Sequence, residues 1–325
     1  MKNKFLIFTV VFALIFGLTA CSKIEEEQDV QRPLVRYAVM TGPTGVGSVH
    51  FIENSKNGQS AFEIEESVVG TPDEIVSSLV SGNLDMAVVP ANLASVLYNK
   101  TDGKIQVLAT NNLGVLYIVE MGEEIHSLED LKGKVVMSSG KGATPETVFT
   151  YLMEGNGLQR GVDWDFDFKT EATEAAQNLL SGKHTIALLP EPMVTAVLAQ
   201  SEHARVAIDL QEEWSKLNAS AQITGVLVGR REFIETIDAD AFLKEFESSV
   251  KEAEADVKKT SELLGKYNIM NPDIAETAIP NMNLHYMDGQ DLKISMTEYL
   301  QILSEANSQS VGGNVPGEDF FYLGK

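Results

Sequence analysis

Cysteine occurs once in 325 residues, at Cys21, so no disulfide can close within the chain. Basic residues are scarce: 25 Lys and Arg stand against 47 Asp and Glu, a formal net charge of −22. So acidic a surface repels nucleic acid phosphates and anionic lipid headgroups, which excludes nucleic acid as a partner. The five histidines (His50, His126, His184, His203 and His285) show neither H-E-x-x-H nor paired-ligand spacing, so no metal is predicted. His50 falls on a predicted helix and reads as a helix-surface residue. There is no G-x-S-x-G elbow, and the lone cysteine sits near the N-terminus. Nothing pairs a nucleophile with a base, so no catalytic residue and no cofactor are predicted. After the first twenty residues no apolar run is long enough to span a bilayer.

Those first twenty residues have their own logic. Lys2 and Lys4 precede an apolar run from Phe5 to Phe16, Gly17 breaks it, and "LTAC" follows at 18–21. A charged start, a short apolar stretch and small residues before a cut make a secretory signal over 1–20. "LTAC" resembles a bacterial lipobox, which would make Cys21 the acylated N-terminus of the mature chain and anchor it to the membrane by lipid. An ordinary secreted protein with a chance cysteine is the alternative. The polar run "SKIEEEQDVQR" reads as the body of a solvated tether over 21–32. Cleavage would leave 23 basic residues against 47 acidic.

What is present in abundance is repetition. "SLVSGNLDMAVVPANLASV" at 78–96 returns as "NLLSGKHTIALLPEPMVTA" at 178–196, in the same register. Each copy reads as a helix stopped by glycine (Gly82, Gly182), then a short apolar strand ending at proline (Pro90, Pro190). The unbroken apolar run predicts a strand covered on both faces, as in parallel sheets. Thr71, Pro72 and Glu74 form a capping-box pattern at the first helix. Upstream, "VRYAVMTGPTGVGSV" (35–49) and "KVVMSSGKGATPETV" (134–148) match as strand, Gly-rich turn and helix start. The period far exceeds that of a solenoid, so two α/β lobes, each with a mostly parallel sheet flanked by helices, are predicted. "GVLYIVE" and "GVLVGRR" read as the two crossovers, giving lobe I as 33–120 and 221–325 and lobe II as 121–220. Residues 235–310 are helical by pattern, and the irregular tail should fold Phe320, Phe321 and Tyr322 back onto the body.

In such a molecule a ligand sits where strand ends and helix starts converge. That points to the loops at 41–47 and 138–145, whose backbone N–H groups open into helices and favour anions. Thr41, Thr44, Ser138, Ser139 and Lys141 are candidate contacts, with turn chemistry and solvation as the plainer reading. Thr144 and Pro145 look like the N-cap and first turn of a helix, and Asn92 reads equally as a helix cap. "GPTGVG" lacks the order of a dinucleotide fingerprint, and neither loop is a P-loop. Glu191 stands where the first repeat has Ala91. A carboxylate at a cleft mouth would pair with an amine or a protonated ring nitrogen, unless it is solvated outside the site. No arginine is placed for bidentate capture of an oxyanion. These residues favour a small organic solute with an acceptor-rich end and an amine-bearing end, such as an aminosulfonate or aminopyrimidine.

The signal, the lipobox, the interrupted first lobe and the repeated L-x-x-G-x-x-D-x-A-x-x-P phrase together resemble the solute-binding lipoproteins of ABC importers. Within that group the likeness is to the nitrate/sulfonate/taurine/thiamine-precursor type, with a type II periplasmic-binding fold. "GTPDEIVSSLVSGNLDMAVVPANLASVLYNK" and "SLEDLKGKVVMSSGKGATPETVFTYLMEGNGL" carry it, over nearly all of 1–235. The resemblance implies ligand contacts at Gly42, Pro43, Thr44 and Gly45, at Ala91 and Asn92, and at Ser138, Ser139, Gly140, Gly142, Ala143 and Thr144. It implies a monomeric, extracytoplasmic, non-enzymatic protein whose partners are a small solute, an ABC permease and its ATPase. A sensing ectodomain or an enzyme on the same fold are the other uses. Pyrimidine-synthesising fungal relatives depend on a cysteine cluster that this chain lacks.

Overall fold

Two five-stranded sheets carry the fold of the computed structural model, which describes residues 32–218 and 220–324. The predicted leader, Cys21 and the tether up to residue 31 lie outside the described residues. The first half runs β1 (Leu34–Met40), α1 (Pro43–Val46), α2 (Val49–Lys56), β2 (Glu63–Val69), α3 (Pro72–Ser81), β3 (Met86–Pro90), α4 (Ala91–Lys100) and β4 (Ile105–Leu113). There follow β5 (Leu116–Met121), β6 (Val135–Ser138), α5 (Thr144–Gly155), β7 (Asp165–Phe168), α6 (Ala172–Leu180), β8 (Ile186–Pro190), α7 (Met193–Leu198), β9 (Ala204–Asp209) and α8 (Leu210–Leu217). The chain ends with β10 (Ile223–Arg230), α9 (Arg231–Ile234), α10 (Ala239–Ala255), α11 (Val257–Lys266), α12 (Pro272–Ala278) and α13 (Gly289–Ala306).

The sequence repeat is a repeat of topology. The first sheet has the order β2-β1-β3-β10-β4 and the second β7-β6-β8-β5-β9. In each, four strands run the same way and one, β10 or β5, is antiparallel to both its neighbours. The antiparallel strand is the one that arrives across from the other sheet. β3 and β8 hold equivalent central places, and their apolar residues are buried on both faces. Gly82, at φ 77°, ends α3 in the left-handed conformation that its lack of a Cβ allows. Thr71 is the N-cap of α3, but its hydroxyl donates to the Glu74 carboxylate at 3.2 Å and the reciprocal backbone bonds of a capping box do not form. α5 starts one residue earlier than expected, with Ala143 as N-cap and Thr144 and Pro145 inside the first turn.

The first crossover is corrected. β5 pairs Leu116 with Pro190 and Tyr117 with Leu189, so residues 116–120, predicted to close lobe I, belong to the second sheet. "IQVLATNNLGVLYIVEM" is uniformly strand-like, and only Gly114 marks where the partner changes: its N–H bonds the Gln211 side chain rather than a sheet neighbour. The return follows α8, before β10 rejoins the first sheet.

The expectation that His50 lies on a helix surface is also corrected. It is buried, its Nε2 is 2.8 Å from the Thr260 hydroxyl and its Nδ1 is 3.4 Å from Glu252. α10 and α11 cover the face of α2 on which it sits, and burial lowers its pKa. α13 packs against both α4 and α5, one helix from each repeat. In the tail Phe320 packs edge-on against Tyr98 at 5.1 Å, and the Tyr322 N–H bonds the Val107 carbonyl. Among the described residues no helix is long and apolar enough to cross a membrane.

Candidate functional site

A cavity of about 280 Å³ lies where the chain crosses between the sheets. The first turn of α4, which follows β3 directly, brings Ala91 and Asn92 to it, and the turn into α5 brings Ala143 and Thr144. Thus two predicted loops, one from each repeat, meet at one space. Val115 and Leu116 of the first crossover and Ile223 and Thr224 of the second close the middle.

Gln222 and Tyr299 complete the lining, and neither is apparent from sequence. Gln222 immediately precedes β10 with no motif around it. Tyr299 falls in the apolar stripe of α13 with Leu292, Met296 and Leu303, where a tyrosine reads as core. Both are 1% exposed. The Gln222 Oε1 is buried without a hydrogen-bond partner. The Tyr299 ring stands edge-on to Trp214 at 5.5 Å, and burial holds its phenol well above the ordinary pKa, so it stays protonated.

The remaining predicted residues lie off this lining. At 41–45 three backbone donors are already engaged: Thr41 N–H bonds Val69 O, Gly42 N–H bonds Ile269 O, and Gly45 N–H bonds Gly42 O. The Asn111 amide holds the loop from beneath by donating to Thr44 O at 3.2 Å. Gly45 packs so closely on Met40 and Ile269 that its lack of a side chain has a structural cause. In the second loop the Ser138 hydroxyl donates to Ser139 O. Gly140 and Gly142 take positive φ, and the Gly142 N–H donates to Glu146, itself paired with Arg160. Lys141 is exposed. In these two loops the N–H groups of Thr41, Gly42, Gly45, Gly142 and Ala143 are thus met by the protein's own acceptors.

Glu191 is neither at the cavity nor in solvent. It is 2% exposed, and its carboxylate accepts from the Thr195 hydroxyl at 3.0 Å and the Thr195 N–H at 3.2 Å. Burial raises its pKa above the ordinary carboxylate value, against the bonds from Thr195. The unfolded chain therefore ionises first as pH rises, so Glu191 contributes less to stability on the alkaline side of that ordinary value than on the acid side. Glu191→Gln, which keeps an acceptor for Thr195 and removes the buried charge, should melt like the native chain near pH 4 and progressively higher toward pH 8. A gap that narrows with rising pH in a melting series would contradict this.

A larger depression of about 550 Å³ opens beside Gly82, Asp102 and Arg230. Arg230 ends the antiparallel β10, at the opposite end of the first sheet from the 91–92 loop. Its arginines are committed: Arg230 to Asp85 and Arg231 to Asp319. The smaller cavity, lined from both repeats and holding the unpartnered Gln222 Oε1, is the candidate site. Among the described residues no cluster of His, Cys, Asp and Glu is placed to hold a metal ion.

No family model matches the chain, and no curated protein matches its sequence. Solved structures do. An ABC transporter structure from Parabacteroides distasonis superimposes with a TM-score of 0.75 at 23% identity, over 89% of this chain and 98% of that one. The periplasmic aliphatic sulphonate-binding protein SsuA of Escherichia coli gives 0.68 at 13% identity, over 89% and 92%. The periplasmic nitrate-binding protein NrtA of Synechocystis PCC 6803 gives 0.60 at 13%, over 86% and 84%. With two sheets of one topology, two crossovers and these superpositions, the chain has the two-lobed type II fold of the periplasmic binding proteins of ABC transporters.

Proposed function

We propose that this chain is an extracytoplasmic solute-binding protein, anchored by lipid on Cys21, that hands a small polar organic solute to an ABC permease and its ATPase. The observation that carries the reading is the cavity between the repeats, lined from both and bounded by both crossovers. A solute touching both lobes favours the arrangement that brings them together, and two extended crossovers are the segments about which such a change can turn. The likeness to sulphonate- and nitrate-binding proteins supports import of a small solute. The lining offers amides, hydroxyls and apolar walls but no nucleophile–base pair, which supports binding over catalysis. The lobes I (33–120 and 221–325) and II (121–220), with the first boundary moved to Gly114, and a monomeric state belong to this reading.

Two measurements test it. Deleting the gene should abolish high-affinity uptake of the solute, whereas a sensing ectodomain would leave uptake intact. Cells fed a radioactive fatty acid should label the native chain and leave Cys21→Ala unlabelled; equal labelling of both would contradict the anchor.

A further inference from the structure

We propose that the cavity takes an uncharged, compact ring solute bearing both a hydrogen-bond donor and an acceptor, and that Gln222 and Tyr299 select it. The inference rests on the solute-binding reading and narrows it. Among the described residues, none that lines the cavity carries an ionised side chain. Lys141 and Glu191, which would have supplied charge, both lie elsewhere. A sulfonate or nitrate entering here would give up its hydration with no cationic side chain to replace it.

An uncharged ring meets a better match. Its faces bury against Val115, Leu116, Ile223 and Pro145. Its edge meets two polar groups. The Gln222 Oε1 is buried without a partner, and the Tyr299 hydroxyl belongs to the same lining. Leaving buried polar groups unmatched costs stability, so their presence on a cavity wall points to a ligand that completes them. Rotation of the Gln222 carboxamide about its last torsion presents either an acceptor or two donors, and the protonated Tyr299 phenol donates or accepts. The volume of about 280 Å³ exceeds the roughly 150 Å³ that encloses benzene, and so suits one substituted ring.

The test uses the full chain, Gln222→Met and Tyr299→Phe, in thermal-shift and calorimetric titrations at pH 7. Probes are cytosine, uracil and nicotinamide in one arm, methanesulfonate and nitrate in the other. An uncharged probe should bind the native chain and lose roughly tenfold in affinity in each variant, the scale of one hydrogen bond. Without any probe Gln222→Met should melt at or above the native temperature, since it loses a polar group that the empty protein does not satisfy, and Tyr299→Phe, which keeps the ring, should melt close to it. Ligand-free variants that melt several degrees lower would mean these groups serve folding, and would overturn the proposal. Binding of methanesulfonate or nitrate with affinity unmoved in both variants would overturn it too, while leaving solute binding intact. Binding by no probe of either charge class would count against solute binding itself.

Discussion

Asp85→Ala should lower the melting temperature by roughly 5–10 °C, the scale expected when one partner of a buried ion pair is removed from a chain of this size. Asp85 opens the buried strand of the first repeat, and its side chain is 3% exposed. Its carboxylate accepts from Arg36 Nε at 2.8 Å, from the Arg36 backbone N–H at 3.0 Å and from Arg230 at 2.7 Å. Its own backbone bonds Arg36 O and the Arg230 N–H. One residue therefore ties β1, β3 and β10 together at the end of the sheet remote from the cavity. Burial works against the ionised form, yet the two guanidinium groups hold the pKa below the ordinary value. A depressed carboxylate contributes stability above its unfolded pKa and loses it as pH falls through the folded one. The native chain should thus weaken in acid through Asp85, and Asp85→Ala should lack that component of the acid transition. Solute binding measured well below the variant's melting temperature should be close to native, because the network lies outside the cavity. A melting change under about 1 °C would mean that the arginines find other partners.

Gly45→Ala should cost on the order of 1–3 kcal/mol, the range for overpacking a filled interior. A Cβ there would stand 2.5 Å from the Met40 carbonyl oxygen and 2.6 Å from Ile269 Cγ2. The first obstacle is backbone and has no rotamer with which to yield, so α1 or the end of β1 must move. That shift would also strain the Asn111 bonds to Pro43 O and Thr44 O. Gly142→Ala provides the contrast: nothing stands within 4 Å of its Cβ, and the cost is that of holding alanine at φ 77°, about 1 kcal/mol. Chemical denaturation of both variants checks the order, and Gly142→Ala proving the more damaging would contradict the close approach at Gly45.

The repeat made much of the architecture legible. A glycine in the left-handed conformation, an apolar run too short for a core helix and a terminal proline occur twice, and each occurrence is a helix end, a central strand and the approach to a new helix. The register of Asp85 shows the limit of that reading. At the matching place the second repeat has Thr185, whose hydroxyl bonds Glu123 at 2.9 Å, so the same phrase closes two sheets by different chemistry. Gly114 was hard to read because the runs on either side of it are equally strand-like, and only pairing tells which sheet each joins. His50 was misread because the covering helices lie more than 190 residues away in sequence. The site divides similarly. Ala91, Asn92, Ala143 and Thr144 follow strands in a repeated pattern and reach the cavity together. Gln222 and Tyr299 come from the return segment and the last long helix, where no local pattern separates a ligand contact from a core residue. Glu191 has the composition of a cleft-mouth carboxylate, but Thr195, one helical turn on, takes both its oxygens inward.

Native mass spectrometry of the chain isolated undenatured from its own cells most directly tests the claim that this fold holds a small solute between its repeats. The account predicts one bound compound per chain, of a size suited to a cavity of about 280 Å³, released chemically unchanged on denaturation and reduced in occupancy by Gln222→Met and Tyr299→Phe. A chain that emerges bare from every growth medium, or one whose companion is released in altered form, would contradict it.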